Sequence, residues 1–216
     1  DSSITQNFVN YFPTMNFRYD FSRTKNLRIF YNGRTGQPSA QQLQPVVDNS
    51  NPLNITTGNP NLKQQFIHTF RILYNSFDVV TQKIFFATIN ANFTDNDIQN
   101  STTYLPNGAQ FTRPVNLSGT YNINGFLNYG FPLKKPKSNI NLGVNLSNSQ
   151  SQTLVNNLSN YTRNTTAGIN ASWTTNIKEG FDMNFSSNSS FSFAPYTLQP
   201  QQNGDAAGQQ NGDPQG

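Results

Sequence analysis

Apolar and polar residues alternate along most of this chain with a period of two. The longest run is Phe111–Phe131. Phe111, Val115, Leu117, Tyr121, Ile123, Leu127, Tyr129 and Phe131 hold odd positions, and Thr112, Asn116, Ser118, Thr120, Asn122, Asn124 and Asn128 hold even ones. A period of two sends successive side chains to opposite faces, so the run predicts a β-strand with one apolar and one polar face. The same reading gives further strands at Tyr11–Phe21, Leu27–Asn32, Leu62–Tyr74, Lys83–Thr103, Ile140–Ser147, Tyr161–Ile177 and Phe181–Phe193. Helical periodicity is essentially absent. The expectation is an all-β chain of about eight long antiparallel strands joined up and down as hairpins.

The connections alternate in length. Short turns are expected at Ser22–Asn26, Asn75–Gln82, Pro132–Lys137 and Asn176–Gly180. Longer connections are expected at Gly33–Asn61, at Ser149–Asn160, and at the Leu105–Gln110 tip, where Asn107-Gly108 favours a tight turn. Short turns at one end and long loops at the other is the build of an outer-membrane barrel. A membrane-crossing strand needs about 9–11 residues. Lys83–Thr103 and Phe111–Phe131 are about twice that, so their lower parts (Phe85–Ile89 and Leu127–Phe131) are expected to cross a bilayer. The upper parts would stand above it as a wall.

Composition sharpens this picture. The 216 residues contain no cysteine and carry a net charge of only +4, with scattered basic residues. That excludes a disulfide framework and thiolate chemistry, and it does not suggest a nucleic-acid surface. No apolar run reaches the roughly 18 residues of a transmembrane helix. A transmembrane barrel hides its apolar half in the alternation, so its average hydropathy looks soluble. Tyr121, Tyr129, Tyr161, Trp173, Phe181 and Phe193 lie near strand ends, as interfacial aromatic girdles would. The competing architecture is a soluble sandwich or small barrel, which also has two-faced strands.

Candidate chemistry is sparse. His68 is the sole histidine and alternates onto the apolar face, with no second His or Cys to build a metal site or a catalytic set. Asp95-Asn96-Asp97 lacks the Gly and Glu that complete a calcium loop. Gly33, Gly36 and Gly58 precede no Gly-Lys-Ser/Thr, so they form no phosphate loop. No catalysis, metal or cofactor is expected. Asn54-Ile55-Thr56 and Asn100-Ser101-Thr102 fit a glycosylation triplet that a chain this rich in Asn and Thr produces by chance.

A loop containing Arg34, Pro38, Leu43 and Pro45 is followed by Gly58-Asn59-Pro60-Asn61-Leu62-Lys63 at a strand start. This resembles the barrel of TonB-dependent receptors. The wider wording, LQPVVDNSNPLNITTGNPNL and then NYGFPLKK, resembles the outer-membrane β-barrel family of Bacteroidetes within that superfamily. Gln64-Gln65 stands where the motif has Pro-Glu. The resemblance covers about Tyr11 to Phe193. It implies a bacterial outer-membrane location and nutrient uptake. It also implies a sector of a 22-stranded barrel whose partners are lipid, the rest of the barrel, a plug domain, the TonB complex and a surface lipoprotein. Residues 1–198 are then barrel, with an extracellular loop at 33–61, and 199–216 a disordered Gln/Asn/Gly-rich tail. Gln37, Gln41, Gln42, Gln44, Asp48 and Asn49 in the long loop are the candidate ligand contacts, and Arg18, Arg28, Lys63 and Arg71 the candidate lumen-facing cations. The alternative function is a soluble or surface-attached all-β binding module, an adhesin or glycan binder.

Overall fold

The structure is a computed structural model that describes residues 9–178 and 181–199. Its elements are β1 (Thr14–Ser22), β2 (Lys25–Gly36), α1 (Ala40–Leu43), β3 (Asn54–Thr56), β4 (Gln65–Asp78), β5 (Lys83–Asp95), β6 (Asp97–Tyr104), β7 (Gln110–Leu117), β8 (Thr120–Leu133), β9 (Ser138–Val155), β10 (Leu158–Lys178), β11 (Phe181–Phe193) and β12 (Tyr196–Gln199). The long strands β1-β2-β4-β5-β8-β9-β10-β11 pair in that order, each antiparallel to the next. These are the eight strands of the alternation, in the expected up-and-down order. Among the described residues β1 and β11 each pair with one strand only, so the sheet they form is open.

Register carries the alternation through the whole sheet. Leu27, Tyr74, Ala87 and Leu127 stand opposite one another in turn, and so do Ile29, Ile72, Ile89, Gly125 and Leu146. One face is therefore apolar across all eight strands. It is also uncovered: Leu146 is 57% exposed, Phe185 63% and Ile169 64%. Among the described residues the buried apolar side chains are Leu62, Ala91, Ala109 and Leu117. A soluble sandwich must cover such a face with a second layer, and here none does.

Aromatic rings gather in two bands on this face. Toward the short turns, Tyr19, Phe21, Tyr74 and Phe85 form a chain of ring contacts at 4.7, 6.2 and 5.7 Å, and Tyr129 meets Phe131 at 5.5 Å. Toward the long loops, Tyr31 meets Phe70 at 4.8 Å, Phe70 meets Phe93 at 6.2 Å and Phe93 meets Tyr121 at 6.3 Å. Aliphatic residues fill the space between. From Phe85 to Phe93 the strand rises roughly 26 Å at about 3.3 Å per residue. With the usual strand tilt of about 35–45°, this approaches the roughly 25 Å apolar band of a membrane barrel. On β9 the apolar side of the alternation runs Ile140, Leu142, Val144, Leu146 and then turns polar at Asn148, Gln150 and Gln152.

Several boundaries differ from the alternation. Lys83–Thr103 is two strands, broken at Asn96, whose φ is +51°. Phe111–Phe131 is likewise two, broken at Ser118-Gly119, with φ +92° at Gly119. The kinks swing β6 and β7 out of the wall as a hairpin, and β6 pairs in parallel with the tip of β9 through Ser101–Leu154 and Thr102–Val155. Period two cannot see a break that preserves the parity of side chains on either side. The protruding wall is β9 and β10 instead. Ser149–Asn160 is not a loop: Asn156 and Asn157, with φ +51° and +62°, make a two-residue turn between strands. Asn tolerates positive φ, which such turns demand at both positions. β2 runs on to Gly36, β1 starts only at Thr14, and β4 starts at Gln65 rather than Leu62. β12 adds a strand through Gln199, so strand structure passes the expected tail boundary. Residues 200–216 lie outside the described residues.

Gly119 at φ +92° marks a position that a β-branched residue occupies only under strain of about 1–3 kcal/mol. Gly119→Val is expected to loosen the hairpin and leave the wall intact. Protease cleavage at the Leu105–Ala109 tip should accelerate while the fragments carrying the long strands persist.

Candidate functional site

The long loop is built rather than slack. Ser39 caps α1 by accepting from Gln42 N at 3.2 Å, and the Gln42 side chain accepts from Ser39 N at 2.9 Å, a reciprocal capping box. A Ser three residues ahead of Gln is the signal that the short helix carried in the sequence. Asp48 and Thr56 then exchange backbone hydrogen bonds at 2.8 and 3.0 Å. β3 adds in parallel to β7, with Thr57 N donating to Thr112 O at 3.1 Å and Gln110 N to Leu53 O at 3.0 Å. The loop therefore closes onto the bent hairpin and makes a cap.

The Gly-Asn-Pro-Asn-Leu-Lys motif is the clasp of that cap. A Cβ on Gly58 would collide with the backbone carbonyls of Gln41, Gln42 and Gln44. Asn59 N donates to Gln42 O at 2.6 Å, and its Nδ2 reaches across to Pro114 O at 3.0 Å. Leu62 is buried at 3% exposure. Asn116 Oδ1 accepts from Lys63 N at 2.7 Å, and its Nδ2 donates to Lys63 O and Asn96 O at 2.9 and 2.8 Å. At the kink itself, Asp97 Oδ2 accepts from Thr120 Oγ1 at 2.7 Å and Gln99 Nε2 at 2.9 Å.

Loop and hairpin enclose a cleft of about 400 Å³. Gln41, Gln42, Gln44 and Asp48 line it, as does Val46. Gln37 and Asn49 lie in the same loop but do not line the cleft. The opposite side comes from Asn100, Thr112, Arg113 and Pro114, none of which the sequence reading took as a ligand contact. Their signal would have been the Asn107-Gly108 hairpin tip, had it been read as folding back. The cleft is amide- and hydroxyl-rich, with one acid and one base. Asp48 accepts from Ser50 Oγ at 2.6 Å and from Ser50 N at 3.0 Å. These two bonds hold its carboxyl below the ordinary carboxylate value, the hydroxyl having the larger effect.

The expected lumen cations divide. Arg18, Arg28 and Arg71 all stand on the polar face, Arg18 opposite Arg28 and Arg71 opposite Phe30. Arg18 Nε pairs with Asp20 at 2.9 Å, and Arg71 Nε donates to Asn90 Oδ1 at 2.9 Å. Lys63 precedes β4 and belongs to the cap, not to the wall, because its backbone is held by Asn116. His68 is on the apolar face as expected, but it is partnered: Tyr31 Oη lies 2.9 Å from Nδ1 and Asp95 Oδ2 3.2 Å from Nε2.

The sequence matches the Outer membrane protein beta-barrel family over residues 1–211. The chain belongs to that family. No curated protein and no solved structure matches it. Family membership puts this outer-membrane protein in the bacterial outer membrane and gives its uncovered apolar face a solvent, the lipid bilayer. The long loop, the hairpin and the β9–β10 tip then share one end of the membrane-spanning sheet, and the short turns the other.

Gly58→Ala is expected to push the clasp open, costing about 1–3 kcal/mol as an overpacked site does. Amide exchange should rise across residues 39–63 and 110–117 while β8–β10 stay protected. A second expectation concerns pH. A lowered folded-state pKa contributes stability above the ordinary carboxylate value, and that contribution is lost as pH falls through the folded value. The Asp48 turn should therefore hold through mildly acidic pH and fail only below the usual carboxylate range. Carboxyl NMR should show Ser50→Ala moving the Asp48 titration upward.

Proposed function

We propose that this outer-membrane protein forms wall and outer cap of a ligand-uptake receptor of the TonB-dependent kind. The observation that carries the reading is the cleft of about 400 Å³, held between a clasped loop and a bent hairpin at the long-loop end of a membrane-crossing sheet. Such a cap presents amide, hydroxyl, carboxylate and guanidinium groups to whatever arrives, and has no group arranged for bond-breaking. Binding followed by passage is the chemistry it suits. Gln41, Gln42, Gln44 and Asp48 from the loop, with Asn100 and Arg113 from the hairpin, are the proposed ligand contacts. Behind the cap, the polar faces of β2, β4, β5, β8, β9 and β10 would line the lumen. On this reading the wall is a sector of a larger barrel, of 22 strands in such receptors, around a plug. Uptake is energised through the TonB complex, and a surface lipoprotein is a further partner.

Orientation is testable by paired substitutions on one strand. Ile169→Arg puts a charge on the apolar face, where Arg or Lys at the bilayer midplane costs about 2–4 kcal/mol. Asn170→Arg puts it on the polar face. The first should abolish the heat-modifiable, detergent-extracted band in outer membranes, and the second should leave it. Equal assembly of both variants would overturn the wall reading. Release of the unmodified chain by an alkaline wash without detergent would instead assign a surface-attached binding module. For the receptor reading, the periplasmic domain of TonB is the probe. The full-length protein purified in detergent should retain it, and absence of binding would leave an outer-membrane barrel of another kind.

A further inference from the structure

The seven lysines of the chain are not spread evenly over it. Lys25, Lys83, Lys134, Lys135, Lys137 and Lys178 belong to the short-turn end of the sheet, and Lys63 belongs to the cap. Of the seven arginines only Arg23 is at the short turns. Two of these lysines continue rows of the uncovered apolar face. Lys83 shares the parity of Phe85, Ala87, Ile89, Ala91 and Phe93, and Asp95 ends that row at the long-loop end. Lys25 shares the parity of Leu27, Ile29 and Tyr31. Each is two residues beyond its apolar row, roughly 7 Å at about 3.3 Å per residue. Lys134, Lys135 and Lys137 lie in the turn that follows Phe131 and Leu133. That turn folds against the same face. Ser138 and Thr175 share the parity of Ile140 and Trp173 and are buried there. Ser138 Oγ donates to Pro136 O at 3.0 Å, and Thr175 Oγ1 to Lys137 O at 3.1 Å.

Lys25, Lys83, Lys134, Lys135 and Lys137 are all exposed, and none forms an ion pair among the described residues. Asp78 is directly opposite Lys83, but its carboxylate is engaged by its own turn, accepting from Val80 N at 2.9 Å and Thr81 N at 3.1 Å. In that turn Val79 and Val80 are 67% and 92% exposed. Ammonium groups and apolar side chains exposed side by side suit the boundary between headgroups and acyl chains. Between the β4–β5 and β8–β9 turns opens a hollow of about 930 Å³, with Lys83, Lys134, Lys137, Val80 and Leu133 in its lining. It reaches the polar face too, at Asn139 and Thr174, so it sits at the strand ends. We propose that this rim binds anionic phospholipids of the leaflet it meets. The ammonium groups hold the phosphate, and Val80 and Leu133 meet the upper part of the acyl chains. A lysine stem lies along apolar surface while its head reaches a phosphate beyond it. An acidic polypeptide in water fits less well, because Lys25 and Lys83 continue lipid-facing rows. The inference rests on the sheet spanning the membrane, and it adds a headgroup preference at one end.

The test uses the full-length protein purified in neutral detergent, with dioleoylphosphatidylglycerol and dioleoylphosphatidylcholine as probes. Native mass spectrometry should find the anionic lipid retained in preference to the zwitterionic one. A lysine beside an anionic leaflet contributes roughly fivefold to binding. The triple variant Lys134→Gln, Lys135→Gln, Lys137→Gln should therefore lower retention by roughly tenfold or more. Arginine at the same three positions should restore it, and Lys63→Gln in the cap should leave it unchanged. Equal retention of the two lipids, or undiminished retention in the triple Gln variant, would overturn the proposal. Once the protein is in vesicles, Lys25 and Lys83 should be shielded from a water-soluble amine reagent in phosphatidylglycerol and open to it in phosphatidylcholine. Shielding in phosphatidylcholine on addition of inorganic phosphate alone would assign a free phosphate and overturn the lipid. Shielding that only added polyglutamate produces would assign an acidic polypeptide and overturn it likewise. Retention of the heat-modifiable band in each variant separates these results from failure of the wall reading, which would remove the band itself.

Discussion

Hydrocarbon offers no water to a peptide group, so every N–H and C=O that crosses a membrane must find its partner within the protein. A sheet answers this only by lateral pairing. Here the pairing is continuous from β1 through β2, β4, β5, β8, β9 and β10 to β11. The demand also explains why the strands keep strict parity through the membrane-crossing part. One slipped residue would turn polar side chains toward lipid along the rest of the strand. The register shifts on β1–β2 and β10–β11 fall at Asp20/Ser22 and Asn176/Lys178, at the short-turn ends, where water resumes. At the outer edges of β1 and β11 the same demand is unmet within the sheet, so in lipid each edge requires a partner, whether the other edge or another strand.

Above the bilayer the demand relaxes, and the chain departs from regular pairing at once. Asn96 and Gly119, both at positive φ, lie within two residues of the Thr94–Thr120 pair that ends the β5–β8 ladder. The backbone freed there is not left to water. Asn116 takes up Lys63 and Asn96, Asn156 Oδ1 takes Tyr104 N, and Asn156 N donates to Thr102 O. Asn does this repeatedly because its short side chain carries both donor and acceptor and reaches neighbouring backbone. Of the four buried apolar side chains, Leu62, Ala109 and Leu117 are in the cap and its hairpin, where the chain folds back on itself, and the small Ala91 lies on β5.

What the sequence makes legible is what period two encodes: strand number, order, and which face each residue takes. Arg18, Arg28, Arg71 and His68 fall where alternation put them. Hinges are hidden because Asn96 and Gly119 interrupt pairing without interrupting the pattern. The Ser149–Asn160 stretch misleads for the opposite reason. On β9 and β10 the face that is apolar in the membrane becomes polar above it, at Asn148, Gln150, Thr165 and Arg163. A strand polar on both faces has the composition of a loop. Half of the cleft was legible, since a long loop with Gln and Asp is a natural place for contacts. The other half comes from Asn100, Thr112 and Arg113, which are ordinary strand residues until the hairpin bends.

The polar face raises a separate electrostatic point. Most of its lateral contacts are neutral: Thr69 to Asn92, Ser147 to Asn124, Asn141 to Ser172 and Thr166 with Ser192. Such pairs tie neighbouring strands together and contribute little long-range field. Two unit charges 4 Å apart interact by about 1 kcal/mol in water, but by about 4 kcal/mol at the effective dielectric of a protein surface. Wherever such a wall is covered and water leaves, its few ionic groups dominate its potential. The Arg18–Asp20 pair largely cancels itself at 2.9 Å. That leaves Arg28, Arg34 and Arg71, on two adjacent strands, as cations of this face without an acidic partner among the described residues.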